Sequence, residues 1–201
     1  MLIVVGGHSR NIGKTSVVCG MIGALRDRNW TAIKITQYGH GVCSHAGEPC
    51  ECADPIHPVA ISREAEANAR TDSGRFLCAG ATEAYWVRTA AGGLAEAMPR
   101  LRRILESAEN AIVESNSILG FVKPDVCLMV ADGRVEDFKP TSLRFLDRAS
   151  ALVLTSSAPP SWPSVPPSVV AARPHFFAPG PEYRSPKLIE MIGRAFVGRR
   201  S

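Results

Sequence analysis

Long apolar runs are missing from this sequence of 201 residues. No stretch approaches the ~20 consecutive apolar residues that a membrane-spanning helix needs. The apolar segment at the start is short, has no charge before it and continues directly into a glycine-containing loop, which is not the layout of a secretion signal. We therefore expect a cytoplasmic protein with no membrane partner, in which the six cysteines are reduced.

Basic runs and internal repeats are also missing. The longest basic runs are the pairs Arg102-Arg103 and Arg199-Arg200, and the net charge is only +4. Nucleic acid is therefore not an expected partner, although a basic face for a phosphorylated ligand fits this charge. With 45% hydrophobic and 21% charged residues and no repeat at a fixed period, the composition predicts one globular domain over residues 1–201.

The most specific motif lies at the start of the chain. Residues 2–5 form an apolar run, Gly6 and Gly7 follow it, and Gly13-Lys14-Thr15 begins a helical pattern. A strand, a glycine-containing loop and a helix in this order are typical of a phosphate-binding P-loop, where backbone N–H groups and the helix dipole attract an anion. The strict pattern has glycine at the position of His8, so the spacing counted from Gly7 is one residue longer.

This motif predicts a nucleotide site, and the alternative is a tight turn with a solvated lysine. Lys14 is expected to reach the terminal phosphates, and the Thr15 hydroxyl is expected to ligate Mg²⁺. The residues expected to contact the nucleotide are Gly7, Arg10, Asn11, Ile12, Gly13, Lys14, Thr15 and Ser16.

Three further charged residues lie at predicted strand ends. Lys34 interrupts the apolar run 31–36, where it either contacts phosphate or extends to solvent from the strand end. Glu114 and Asp132 each end a buried run, and either carboxylate could bind Mg²⁺ together with Thr15. We favour Glu114 and expect Lys14, Lys34 and Glu114 to be the catalytic residues.

Alternating strand and helix patterns predict an α/β fold of the P-loop type. The continuous apolar runs indicate a mostly parallel sheet with helices on both faces, and ligands bind at the carboxyl ends of such strands. We also expect a helix over residues 60–70, a proline-rich crossing at about 158–168 and a last strand at 169–172.

A cysteine- and histidine-rich insertion is predicted at about residues 37–61. Its Cys-x-His-x4-Cys-x-Cys pattern could bind Zn²⁺ or an iron–sulfur cluster, because reduced thiolates and imidazole are the usual ligands of both. The alternatives for the fourth ligand are His40, His57 and Cys78, and the plain alternative is a loop with unligated thiols. The candidate ligands are Cys43, His45, Cys50 and Cys52.

Residues 1–155 resemble the dethiobiotin synthetase-like branch of P-loop proteins, which includes cobyrinic acid amidating synthases and the adaptor protein B of molybdopterin-guanine dinucleotide biosynthesis. The longer loop spacing is similar to that of dethiobiotin synthetases. The strand with Lys34, the segment Thr71-Asp72-Ser73 with Arg75, and Ala79-Gly80-Ala81 look more like the adaptor. Glu114 matches the family's strand-end glutamate, although Ser115 and Asn116 replace the glycine that usually follows it.

Three hypotheses about function follow, the first two from the loop and the resemblance and the third from the cysteine-rich insertion. The first is a GTP-binding adaptor or slow NTPase with a partner in molybdenum-cofactor biosynthesis. The second is an ATP-dependent ligase that activates a carboxylate. The third is a nucleotide-gated metal-handling protein. A homodimer is implied only by the resemblance to relatives. The sequence has no Asn/Thr-Lys-x-Asp motif, which would read guanine, so its residues do not favour GTP over ATP.

Overall fold

A computed structural model describes residues 1–38 and 59–198. Its central feature is an eight-stranded sheet in the order β3-β4-β2-β5-β1-β6-β7-β8. The only antiparallel pair within this described sheet is β3 with β4, and the other neighbours are parallel. The strands are β1 Leu2–Gly7, β2 Trp30–Tyr38, β3 Val59–Arg63, β4 Glu83–Ala90, β5 Asn110–Glu114, β6 Val126–Ala131, β7 Ala151–Leu154 and β8 His175–Phe177.

Helices connect the parallel strands. They are α1 Lys14–Ala24, α2 Asp72–Ala79, α3 Leu94–Ser107, α4 Pro140–Phe145, α5 Pro167–Ala171 and α6 Pro186–Val197. Short 3₁₀ turns occur at Arg26–Arg28, Ser117–Gly120 and Leu146–Arg148. Within residues 1–38 and 59–198, every helix is too short or too polar to cross a membrane.

The hydrophobic core lies on both faces of the sheet. Successive side chains of a strand point to opposite faces. Ile3 and Val5 of β1 pack with residues of α1, α2 and α6, whereas Val4 packs with residues of α3 on the other face. Central strands that are buried on both faces read as continuous apolar runs, and this is why the sequence predicts them correctly. The expected mostly parallel α/β fold with helices on both faces is confirmed.

The helix expected over residues 60–70 is wrong. Residues Val59–Arg63 form the edge strand β3, which runs antiparallel to β4 with Val59 opposite Thr89. Contacts between the two strands stabilise this pairing: Arg63 Nη2 lies 2.7 Å from Glu83 Oε1, and Arg88 donates to the Ser62 hydroxyl. Residues 64–70 follow β3 without forming a helix.

The last strand expected at residues 169–172 is also wrong. Residues Pro167–Ala171 form α5, with proline in the first turn, where its missing N–H costs nothing. The strand β8 begins later, at His175. A short apolar run fits a strand or a buried helix equally well, and periodicity alone does not separate them.

The predicted insertion at residues 37–61 is described only at its two ends. Residues 37–38 belong to β2 and residues 59–61 belong to β3. Residues 39–58, which include all four candidate ligands of Zn²⁺ or an iron–sulfur cluster, lie outside the described residues. The proline-rich crossing connects β7 with α5 and buries Trp162 and Val165 against the sheet.

Candidate functional site

The loop between β1 and α1 lies at the carboxyl edge of the sheet. Strand β1 is central, between β5 and β6, and its last residue is Gly7. Helix α1 begins at Lys14 after Gly13, which has a positive φ of 90° and supplies no side-chain cap. The first N–H groups of a helix have no partner within the helix, so they and the helix dipole would attract an anion at this point.

Asn116 fixes the start of this loop. Its amide oxygen accepts from Gly7 N at 2.8 Å, and its amide nitrogen donates to Gly7 O at 2.9 Å and to the Ser142 hydroxyl at 2.7 Å. The Ser142 hydroxyl donates to Gly7 O in turn. A Cβ at Gly6 would overlap the Asn116 amide, so only glycine allows this close approach. Asn116, two residues after Glu114, therefore connects the ends of β1 and β5 with α4.

We expect Asn116→Ala to lower the free energy of unfolding by about 1–3 kcal/mol, because it removes the side-chain acceptor of the buried Gly7 N–H and one of the two side-chain donors to Gly7 O. Urea denaturation followed by circular dichroism measures this change. Ser107→Ala is the control, since it removes an exposed hydrogen bond within α3 and should change the free energy by less than about 0.5 kcal/mol. Equal midpoints for Asn116→Ala and the wild-type protein would contradict this role.

His8 accounts for the longer spacing of the motif. Its side chain is fully buried, and its ring lies 5.2 Å from that of Phe138 and 5.1 Å from that of Trp162. His8 Nε2 lies 3.0 Å from Val135 O, and burial lowers the pKa of the imidazole. His8 thus packs into the core beside Phe138 and Trp162.

Lys14 lies over the loop. Its Nζ donates to Ser9 O at 2.7 Å, and burial, reinforced by the charges of Lys139 and Lys34 against the attraction of Glu114, lowers the pKa of Lys14 to about 8. Within the described residues the hydrogen-bond partner of this partly buried ammonium is the neutral Ser9 carbonyl, so the ammonium would gain strongly from a phosphate. Lys14 is therefore placed and charged to bind an anion at the start of α1.

The lowered pKa of Lys14 predicts how triphosphate binding depends on pH. Above pH 8 the free protein holds Lys14 largely uncharged, and binding an anion must then take up a proton. Affinity should be constant below pH 8 and fall by up to about tenfold per pH unit above it. Calorimetry at pH 9 in two buffers of different ionisation enthalpy measures this proton uptake.

Lys139 provides the control for this measurement, because burial and the charge of Arg10 lower the pKa of Lys139 as well. If Lys14 is responsible, the Lys139→Gln variant retains the proton uptake. Identical heats in the two buffers at pH 9 for the wild-type protein would contradict the assignment to either lysine.

Thr15 meets Glu114 at the end of β5. The Thr15 hydroxyl donates to Glu114 Oε2 at 2.8 Å, and the carboxylate of Glu114 is only 3% exposed. The carboxylate of Asp72, the first residue of α2, lies beside this pair, because Lys34 Nζ contacts both Asp72 and Glu114. A hydroxyl and two carboxylates are hard oxygen donors that suit Mg²⁺, which typically binds one or two carboxylates together with phosphate oxygens.

Lys34 lies between the two carboxylates. Its Nζ is 2.5 Å from Glu114 Oε1, 2.8 Å from Asp72 Oδ2 and 3.3 Å from Thr15 Oγ1. Burial disfavours the ammonium, but Glu114 and Asp72 outweigh burial and raise the pKa of Lys34. Lys34 in turn lowers the pKa of Asp72 against the effect of burial. The strand-end lysine is therefore paired within the site and does not extend to solvent.

Asp132 lies on the other side of β1, after the end of β6. Its carboxylate accepts from Arg134 and from the Ser156 hydroxyl, and these contacts, led by Arg134, hold the pKa of Asp132 well below its usual range despite burial. It stabilises the turn after β6, and its hydrogen bonds within the described part of the chain are to Arg134 and Ser156 and not to Thr15. We therefore leave Asp132 out of the candidate metal ligands and retain Glu114.

Asp72 and Arg75 belong to the site, although their sequence pattern predicts no role in binding the metal or phosphate. Arg75 Nη2 donates to the Ser16 hydroxyl at 3.0 Å, and Arg75 Nη1 lies 3.6 Å from Asp72 Oδ1. In the sequence, Thr71 and Asp72 have the pattern of an ordinary helix start, and Thr71 does cap α2 by accepting from Gly74 N. Only the packing of α2 against α1 brings Asp72 and Arg75 to the loop.

A cavity of about 170 Å³ adjoins Asp72. Its lining also includes Lys34. The other lining residues are Thr36, Arg70, Thr71, Ser73 and Trp86. A small polar molecule in this cavity would therefore lie beside Asp72, one of the candidate metal ligands.

Over residues 1–38 and 59–198 there is no cluster of three or more histidine, cysteine, aspartate or glutamate side chains that could bind a metal. Cys78, one alternative fourth ligand, lies exposed on α2. The candidate set Cys43, His45, Cys50 and Cys52 falls within residues 39–58, outside the described residues, and stays a prediction.

No family model and no curated protein match the chain in sequence. Among solved structures, the chain is similar to HypB from Helicobacter pylori in complex with nickel. The two share 12% sequence identity over 98% of this chain and 86% of that chain, with a TM-score of 0.46. The interpretation of the site therefore rests on its own geometry.

Proposed function

We propose that this chain binds a magnesium-bound nucleoside triphosphate at the β1–α1 loop and hydrolyses it slowly. The observation that carries the proposal is the contact of the Thr15 hydroxyl with the Glu114 carboxylate. Thr15 directly follows Lys14, whose ammonium lies over the loop and donates to Ser9 O. Lysine, hydroxyl and strand-end carboxylate in this arrangement are the parts that phosphoryl transfer requires.

Each side chain has a distinct task in this proposal. The Lys14 ammonium neutralises the β- and γ-phosphates, and the loop amides and the first turn of α1 bind their oxygens. Thr15, Glu114 and Asp72 would hold Mg²⁺, which supplies charge neutralisation at the phosphates when bound. Arg75, beside Ser16, adds a second cation at the start of α1.

Product analysis tests the proposal. Purified protein is incubated with GTP or ATP in Mg²⁺ or in a chelator, and nucleoside diphosphate is separated chromatographically. The proposal expects diphosphate to form only with Mg²⁺. If neither nucleotide is hydrolysed or bound, the proposal fails.

The specific hypothesis within this class is a GTP-binding adaptor of molybdenum-cofactor biosynthesis. Its support is the resemblance of residues 71–81, together with the position of Asp72 and Arg75 beside the loop. GTP binding that excludes ATP would favour it, and a preference for ATP would count against it.

A second candidate function is an ATP-dependent ligase, and the cavity beside Lys34 and Asp72 favours it. A substrate carboxylate there would attack the γ-phosphorus, and the bond to the β-phosphate oxygen would break to give an acyl phosphate and a nucleoside diphosphate. Lys34 and Arg70, which line the cavity, would attract the carboxylate. Hydroxylamine trapping of the acyl phosphate as a hydroxamate, in a screen of small carboxylates, distinguishes this reaction from hydrolysis.

A further inference from the structure

Lys34 contacts the same three oxygens that would hold the metal. Its Nζ lies within 3.3 Å of oxygens of Thr15, Asp72 and Glu114. Metal–oxygen distances for Mg²⁺ are roughly 2.0–2.1 Å. A cation bound by these oxygens would therefore occupy nearly the same space as the Lys34 ammonium and repel it.

The backbone of Lys34 has little freedom to move away. Lys34 lies within β2, directly opposite Glu114 of β5 on one side and Trp86 of β4 on the other. Only rotation of the side chain can therefore take the ammonium off the carboxylates. The side chain is 18% exposed, so an ammonium that leaves Glu114 and Asp72 needs another anion as partner.

Lys34 is the cation in direct contact with both carboxylates. Lys14 Nζ instead donates to Ser9 O, and Arg75 approaches Asp72 only to 3.6 Å, on the other carboxylate oxygen. Lys34 is thus the group with which a metal ion competes for Glu114.

We propose that Lys34 makes metal binding at this site depend on the nucleotide. The ammonium competes with the divalent cation for Thr15, Asp72 and Glu114, and the γ-phosphate oxygens provide the new partner that draws it away. Metal and triphosphate then bind together, and the cation alone binds weakly. This inference rests on the proposed function, because it requires a triphosphate at the loop.

Mn²⁺ serves as the probe, since the electron paramagnetic resonance signal of the free ion measures binding without any activity. The nucleotide-free wild-type protein, Lys34→Met and Lys139→Met are titrated with Mn²⁺. Lys139 is the matched control, because it is a partly buried lysine near the loop whose described contacts do not include these carboxylates. Triphosphate binding to the wild-type protein is measured separately by calorimetry.

The proposal expects Lys34→Met to bind Mn²⁺ roughly tenfold or more tightly than the wild-type protein, and Lys139→Met to differ by less than about threefold. If Lys34→Met does not fold, Lys34→Gln, which keeps a donor to Glu114, should show the same direction of change. If the wild-type protein binds triphosphate but neither Lys34 variant gains Mn²⁺ affinity, the proposal about Lys34 is overturned while the proposed function stands. A wild-type protein that binds no triphosphate overturns the proposed function.

Discussion

Lys14→Ala is expected to weaken triphosphate binding about 100-fold or more, which corresponds to about 3 kcal/mol. The ammonium lies over the loop and donates to Ser9 O, and burial already disfavours its charge. A phosphate would give this ammonium a strong ionic partner, which alanine cannot replace. Calorimetric titration of nucleotide into both proteins measures the difference.

Folding should not suffer in the Lys14→Ala variant. Because burial disfavours the Lys14 ammonium, removing it should leave the thermal midpoint unchanged or slightly raised. Lys187→Ala, on the exposed first turn of α6, removes the same charge far from the loop in sequence and should bind nucleotide like the wild-type protein. Unchanged affinity in Lys14→Ala would contradict the assignment of the loop.

Glu114→Gln is expected to lower Mg²⁺-dependent hydrolysis about 100-fold or more. The amide has the shape of the carboxylate but lacks its charge, so it binds a divalent cation poorly. Lys34 keeps its partner Asp72 in this variant, and the amide oxygen still accepts from Thr15 or Lys34, so the fold should persist. Initial rates of phosphate release over a range of Mg²⁺ concentrations measure the effect.

The control for Glu114→Gln is Glu109→Gln. Glu109 immediately precedes β5, and its carboxylate accepts an exposed hydrogen bond from Asn29. Its amide variant should hydrolyse nucleotide at the wild-type rate. A Glu114→Gln variant with a wild-type rate and a wild-type Mg²⁺ dependence would remove Glu114 from the reaction.

The sequence predicts the parallel sheet and the loop because the signals for both are local. Continuous apolar runs mark strands that are buried on both faces, and the loop follows its strand directly. The choice between Glu114 and Asp132 is different, since each ends a strand that neighbours β1. The side-chain contacts of Thr15 and Arg134 separate them, and these contacts depend on the folded chain.

Asp72 illustrates what the sequence does not specify. Its role depends on α2 packing against α1, a contact between segments more than fifty residues apart. The sequence pattern favours a helix at the edge strand Val59–Arg63 for a related reason. The partner of this strand is the later strand β4, and five residues of mixed polarity carry little periodicity. Local patterns therefore predict the loop, whereas long-range packing completes the site around it.

The central claim is that this chain binds a magnesium-bound nucleoside triphosphate at the β1–α1 loop. Calorimetric titration of GTP and of ATP, each with Mg²⁺, into the wild-type protein tests it most directly. We predict binding of at least one nucleotide to a single site with a Kd below about 100 µM, and its loss in Lys14→Ala. Failure of both nucleotides to bind at about 1 mM, with the protein folded, would contradict the claim.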